Sequence, residues 1–141
     1  MDFGVLGDLN WLAVIVAGLA YYALGAVWYA QPVFGRAWQQ SMGWEPPADY
    51  RPPPTTYVLP LITCLVSAIA VGMLAEGTTS DTFAEGIVLG LVVGIGIAVA
   101  GLVVTGFFDP MKPKPMTSTA INAGYQLVGI IIAAIIVSIW T

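Results

Sequence analysis

Asn122, Tyr125 and Gln126 are the residues of this chain best placed to do chemistry, because they are polar groups set inside a long apolar run. On a helix, Asn122 and Gln126 lie one turn apart on one face, with Tyr125 beside them. The trio offers hydrogen-bond donors and acceptors but nothing that titrates near neutral pH. Its chemistry is therefore recognition of a neutral solute, not proton transfer. Thr63 and Ser67, again one turn apart, are candidates to line the same interior, as are Tyr21, Tyr22 and Cys64. Inside a bilayer the same groups also tie helices together, at about 1 kcal/mol each. Interhelical bonding is the first reading of the trio and a solute site the second.

What is missing narrows the chemistry further. The chain has no histidine, so the commonest general base and metal ligand are both absent. Cys64 is the one cysteine, and no nearby base or cation would hold its thiolate. No Asp, Glu, Lys or Arg interrupts the apolar runs, and Glu85 and Asp109 stand at their ends. Charges inside a span are costly and usually functional, so a carboxylate proton relay is not expected. No catalytic set, no metal set and no cofactor motif emerges, and the expectation is a protein that is not an enzyme. Four Lys and Arg against eight Asp and Glu cannot build a phosphate-binding stripe, so no nucleic acid partner is expected either.

The elements that must position these residues follow from composition. With 58% hydrophobic and 9% charged residues, the chain reads as an integral membrane protein whose partner is the lipid bilayer. A helix needs roughly 20 apolar residues to span the hydrocarbon core. Four runs qualify, at about 10–29, 56–75, 83–108 and 118–140, within a single membrane domain covering 1–141. The expected fold is an all-α bundle of four transmembrane helices. Thr117 or Ser118 can cap the last of them. The short polar turn Glu76–Asp81 should make the second and third spans antiparallel neighbours. Gly86, Gly90, Gly94 and Ala98 recur at steps of four and form one smooth face for close helix packing, within the chain or against another protomer.

The first span ends in Gly25-Ala26-Val27-Trp28-Tyr29-Ala30-Gln31-Pro32-Val33-Phe34-Gly35-Arg36-Ala37-Trp38, which reads as a membrane exit. Trp28 and Tyr29 suit the interface, Pro32 stops the helix, and residues 33–44 place Phe34, Ala37, Trp38 and Met42 at helical spacing. That pattern predicts a short interfacial helix, with Trp28, Tyr29, Arg36 and Trp38 as a lipid anchor or partner contact. Pro46-Pro47 and Pro52-Pro53-Pro54 then impose an extended linker. Arg36 and Arg51 fall in the first loop and Lys112 and Lys114 in the third. By the positive-inside rule both loops are cytoplasmic and both termini outside. Met1–Asn10 carries Asp2 and Asp8 and no base, unlike a secretory signal, so the first span is expected to be retained.

The motif Gly25-Ala26-Val27-Trp28-Tyr29, Pro32, Phe34-Gly35-Arg36-Ala37-Trp38, together with Ile121-Asn122-Ala123-Gly124-Tyr125-Gln126-Leu127-Val128, resembles the small bacterial membrane proteins of domain of unknown function 1761. The resemblance spans nearly the whole chain and implies this fold and a location in a bacterial inner membrane, but no activity. It also marks two departures: Ala30 where members often have serine, and Gln126 where they often have histidine. Any proton or metal role of that histidine is therefore not expected here. The functional expectation is a non-enzymatic protein acting by assembly, with itself or as an accessory subunit of a larger membrane complex. The alternative is a channel or carrier for a small neutral or lipid-like solute, formed within an oligomer.

Overall fold

The structure, a computed structural model, describes residues 1–141 and contains helices and no strand. Helix α1 is Trp11–Trp28, α2 Arg36–Met42, α3 Thr55–Thr78, α4 Phe83–Phe107 and α5 Pro115–Ile139; a short 3-10 turn, Phe3–Gly7, precedes α1. Four of the five, α1, α3, α4 and α5, are long and apolar enough to cross a membrane.

Local chemistry sets the ends. Asn10 caps α1, its side-chain oxygen accepting from the Ala13 amide at 3.2 Å. Thr82 and Glu85 form a reciprocal capping box at the start of α4, with the Thr82 hydroxyl donating to Glu85 Oε2 at 2.7 Å. This gives Glu85, the one acid within that span, a structural task. α5 starts at Pro115, earlier than a Thr117 or Ser118 cap would place it. Proline at the first helical position lacks only an amide that the helix would leave unpaired anyway, and its ring presets φ. Likewise α3 runs past Ala75 to Thr78, where Thr79 turns left-handed at φ 53°. Pro60 sits inside α3, and the Thr63 hydroxyl bonds back to its carbonyl at 3.0 Å.

α1, α3 and α5 pack on one another as a three-helix core, sealed by the small residues Ala17, Ala68, Ala133 and Ala134 around the buried Tyr21. α4 lies outside this core, packed along α5 and barely meeting α3 despite their short connection. The antiparallel-neighbour expectation for α3 and α4 thus gives way to packing on α5. A smooth glycine face on α4 finds a closer fit there than α3 provides. Of the apolar stretch of each helix, 44% is buried in α5 and 17% in α4. α5 is the axis and α4 a flanking arm.

The first and third loops meet at one end of the bundle. The Lys114 amide donates to the Ser41 carbonyl at 3.1 Å, Pro113 packs on Gly43, and α2 lies against α5. Arg36, Arg51, Lys112 and Lys114 gather at this end, where Lys112 pairs with Asp109 at 3.1 Å. The hydrogen bond from Lys112, with a second from the Met111 amide, holds the Asp109 carboxyl below its ordinary range. At the opposite end Asn10 Nδ2 donates to the Trp140 carbonyl at 3.0 Å, joining the N-terminal segment to the end of α5.

Candidate functional site

The polar groups converge on the seam between α1 and α5. Tyr21 lies on α1 and Tyr29 two turns on at its C-terminal cap, and Gln126 and Asn122 stand one turn apart on α5. The Tyr29 hydroxyl donates to Asn122 Oδ1 at 2.7 Å, and the Tyr21 hydroxyl donates to Gln126 Oε1. Between them Tyr125 is buried, its hydroxyl donating to the Tyr21 carbonyl at 3.4 Å while it takes the Cys64 thiol, from α3, at 3.3 Å. One network therefore ties the three core helices at one level. Because an unpaired polar group in an apolar interior costs more than a made bond returns, each pairing fixes rotation as well as contact.

Room for these rings comes from glycine. A Cβ on Gly129 would overlap the Tyr21 ring, and one on Gly25 would press on the Tyr125 hydroxyl at 3.1 Å. Rings then continue outward. Tyr125 lies 5.3 Å from Tyr21 and 5.4 Å from Tyr29, and Tyr29 meets the edge of Trp38 at 5.6 Å between centroids. Trp38 in turn meets Trp44, and Trp44 meets Tyr50 in the linker. Such edge-to-face contacts contribute about 0.5–1.5 kcal/mol each beyond their buried area.

The membrane-exit residues turn inward. Trp28 Nε1 donates to the Ile121 carbonyl at 3.0 Å, and its ring covers Gly124 and stacks on Phe34. Tyr29 and Trp38 join the aromatic seam, and only Arg36 of the four stays exposed, without an ion pair. The backbone achieves this with a wide π turn at Gln31–Gly35, closed by the Gly35 amide on the Ala30 carbonyl at 3.0 Å. A Cβ at Gly35 would collide with the Tyr29 carbonyl, so the chain turns here only as glycine.

The second seam, between α4 and α5, has no side-chain hydrogen bond. Gly86, Gly90 and Gly94 face Ile135, Ile131 and Leu127 in strict antiparallel order, and a Cβ on Gly90 would stand 2.6 Å from Ile131 Cα. Ala98 continues the face as a half-buried residue at the core edge. Beyond it the register slips. α4 advances from Gly94 to Gly106 while its contact on α5 retreats only from Leu127 to Thr119, and the π segment Gly94–Val99 lies in between.

The sequence trio Asn122, Tyr125 and Gln126 is thus brought together, whereas Thr63 and Ser67 are not. Thr63 is exposed and bonded to its own helix, and Ser67 is half-buried without a bond to the trio. Their places are taken by Tyr21 and Cys64. Both stand among the polar residues of the apolar runs that the sequence offered as candidates. Nothing in the sequence distinguished Cys64 from Thr63 beside it. No three of the acids and Cys64 come together as a metal-ligating group.

The family model described as protein of unknown function (DUF1761) matches residues 12–138, which takes in all five helices but the first residue of α1 and the last of α5. No curated protein and no solved structure matches the chain.

Proposed function

Because this chain belongs to the DUF1761 family of proteins of unknown function, we propose its role from its own surfaces: a small, non-enzymatic integral membrane protein that acts by assembly, as a homo-oligomer or as an accessory subunit of a larger membrane complex. One observation carries the reading. α4 touches the bundle along a single glycine face, and its other faces hold Gly96 and Gly101, beside each of which a side chain would meet nothing. Bare glycines on a span let a partner backbone approach closely, and dispersion over several turns then drives association in lipid. The core polar groups, by contrast, spend their acceptors on each other, which favours assembly over a solute path through one protomer. We place the protein in a bacterial inner membrane with the joined first and third loops cytoplasmic, from the basic residues they carry.

Native mass spectrometry of gently extracted protein tests this. A defined oligomer, or recovery in fixed ratio with a larger complex, is the expected result, and Gly96→Leu or Gly101→Leu should shift it toward the single chain. A single chain throughout, unaltered by either substitution, would remove the proposal. A homo-oligomer that also conducts a neutral solute after reconstitution would replace it with the channel reading.

A further inference from the structure

The two carboxamides of the α1–α5 seam are half satisfied. Asn122 and Gln126 each accept a tyrosine hydroxyl on the side-chain oxygen, and neither side-chain nitrogen has a partner in the chain. Both side chains are half-buried, and neither nitrogen belongs to the sealed, partnerless polar atoms, which are Trp38 Nε1, Ser118 Oγ and Ser138 Oγ. The amide edges therefore reach the outside of the bundle. An N–H pair left unmatched in hydrocarbon costs on the order of 1–3 kcal/mol. Two such edges one turn apart, with about 5–6 Å between their Cβ atoms, describe a site rather than an accident of packing.

The chemistry of its ligand follows. Each oxygen already accepts a tyrosine hydroxyl while both N–H bonds of each nitrogen are unpaired, so open donors outnumber open acceptors and the site favours an acceptor. No Lys or Arg side chain bonds into the seam, so nothing offsets a full negative charge there and a neutral acceptor is favoured. Tyr29 adjoins Asn122 and carries Trp38 against its own ring, so aromatic surface continues from the site. Depth agrees as well. Asn122 is paired with Tyr29 at the very end of α1, beside Trp28, and Gln126 lies one turn deeper. Interfacial aromatics sit at the boundary of headgroup and acyl chain, so Asn122 lies near the level of ester carbonyls, while Gln126, paired with Tyr21 midway along α1, lies deeper, at the level a ring carbonyl can reach.

We propose that Asn122 and Gln126 form a binding site for the carbonyl groups of a membrane amphiphile, each carboxamide N–H donating to a neutral carbonyl oxygen. The carbonyls can come from the ester linkages of a phospholipid or from a ring dione such as an isoprenoid quinone. This site is independent of whether the protein assembles.

The full chain is reconstituted in vesicles of ester-linked phosphatidylcholine, in vesicles of the ether-linked analogue with the same chains, and in the ether vesicles supplied with a decyl 1,4-benzoquinone. The wild type is expected to unfold at a lower temperature in the ether vesicles than in the ester vesicles if the carbonyl is a lipid ester. It is expected to be raised by the quinone if the carbonyl belongs to a dione. In the variant Tyr21→Phe, Tyr29→Phe, Asn122→Leu, Gln126→Met both amide donors are gone and no freed phenol can replace them, and these differences should fall by half or more. Equal unfolding temperatures of the wild type in all three preparations, or a full difference retained by the variant, would overturn the proposal. Should the variant fail to fold, infrared spectra of the wild type with carbonyl-13C lipid or quinone decide. A labelled band at lowered frequency supports the site, and its absence in both overturns it.

Discussion

The two faces of α5 hold their neighbours by opposite means. Toward α1 and α3 the contact is built from large polar rings, two tyrosine–carboxamide hydrogen bonds and a thiol on a phenol. Toward α4 it is built from absent side chains, with Gly86, Gly90 and Gly94 letting two backbones approach. In lipid there is no hydrophobic gain from bringing apolar helices together, so packing and hydrogen bonding are what remain. The first seam fixes rotation and depth, because a phenol that slips one turn loses its partner. The second rests on backbone approach alone, and its register changes along the seam around Gly94–Val99.

The contrast can be broken most severely on the glycine side. Gly90→Leu places a branched side chain where Ile131 Cα already lies 2.6 Å from a bare Cβ. Neither backbone can yield locally, so α4 should part from α5 at a cost on the order of 3 kcal/mol or more. Unfolding in mild detergent should show the variant melting well below the wild type, and an unchanged melting temperature would refute the close packing of α4 on α5. Gly35→Ala should come next, because the π turn cannot admit a Cβ beside the Tyr29 carbonyl. The expected loss is about 1–3 kcal/mol, with Trp38 swung out of the seam and its fluorescence shifted to the red.

Smaller effects belong to the polar seam. Tyr29→Phe removes one interhelical hydrogen bond while keeping the ring stack on Tyr125 and Trp38, for a loss of about 1 kcal/mol, read from unfolding in mild detergent. Combined with Gly94→Ala, a milder intrusion on the opposite face of α5, its effect should add within about 0.5 kcal/mol. A larger coupling would show that the seams are not independent. The smallest effect is that of pH. Lys112 keeps the exposed Asp109 carboxyl below its ordinary range, so its folded-state value is depressed relative to the unfolded chain. The small stabilisation is present above the unfolded value and is lost as pH falls through the folded one. A melting temperature that is flat from neutral pH down to the carboxylate range, then falls slightly, is expected, and Asp109→Asn should abolish the fall.

Much of this was legible in advance, for reasons that differ by residue. Four apolar runs, broken by Pro32, Pro52-Pro53-Pro54 and Asp109-Pro110, announce an all-α membrane bundle, because hydrocarbon admits no unpaired backbone and so dictates helices. Asn122, Tyr125 and Gln126 stood out since polar groups there are rare and must find partners. Thr63 and Ser67 looked equivalent to them and were not, because a hydroxyl can satisfy itself on its own helix, as Thr63 does on the Pro60 carbonyl. A carboxamide has more to satisfy and so turns to a neighbour.

By itself, then, the sequence determined the helices, their order and the residues that required a partner, all of which depend on local composition and on the cost of burying polar groups. Which partner each residue took was decided only in three dimensions. The glycine face of α4 met α5 and not its chain neighbour α3, Trp28 and Trp38 folded inward, and Cys64 rather than Thr63 reached Tyr125. Those choices turn on the relative rotation and depth of whole helices. No short stretch of residues encodes such quantities, because they are set by the simultaneous fit of rings into glycine hollows across the bundle.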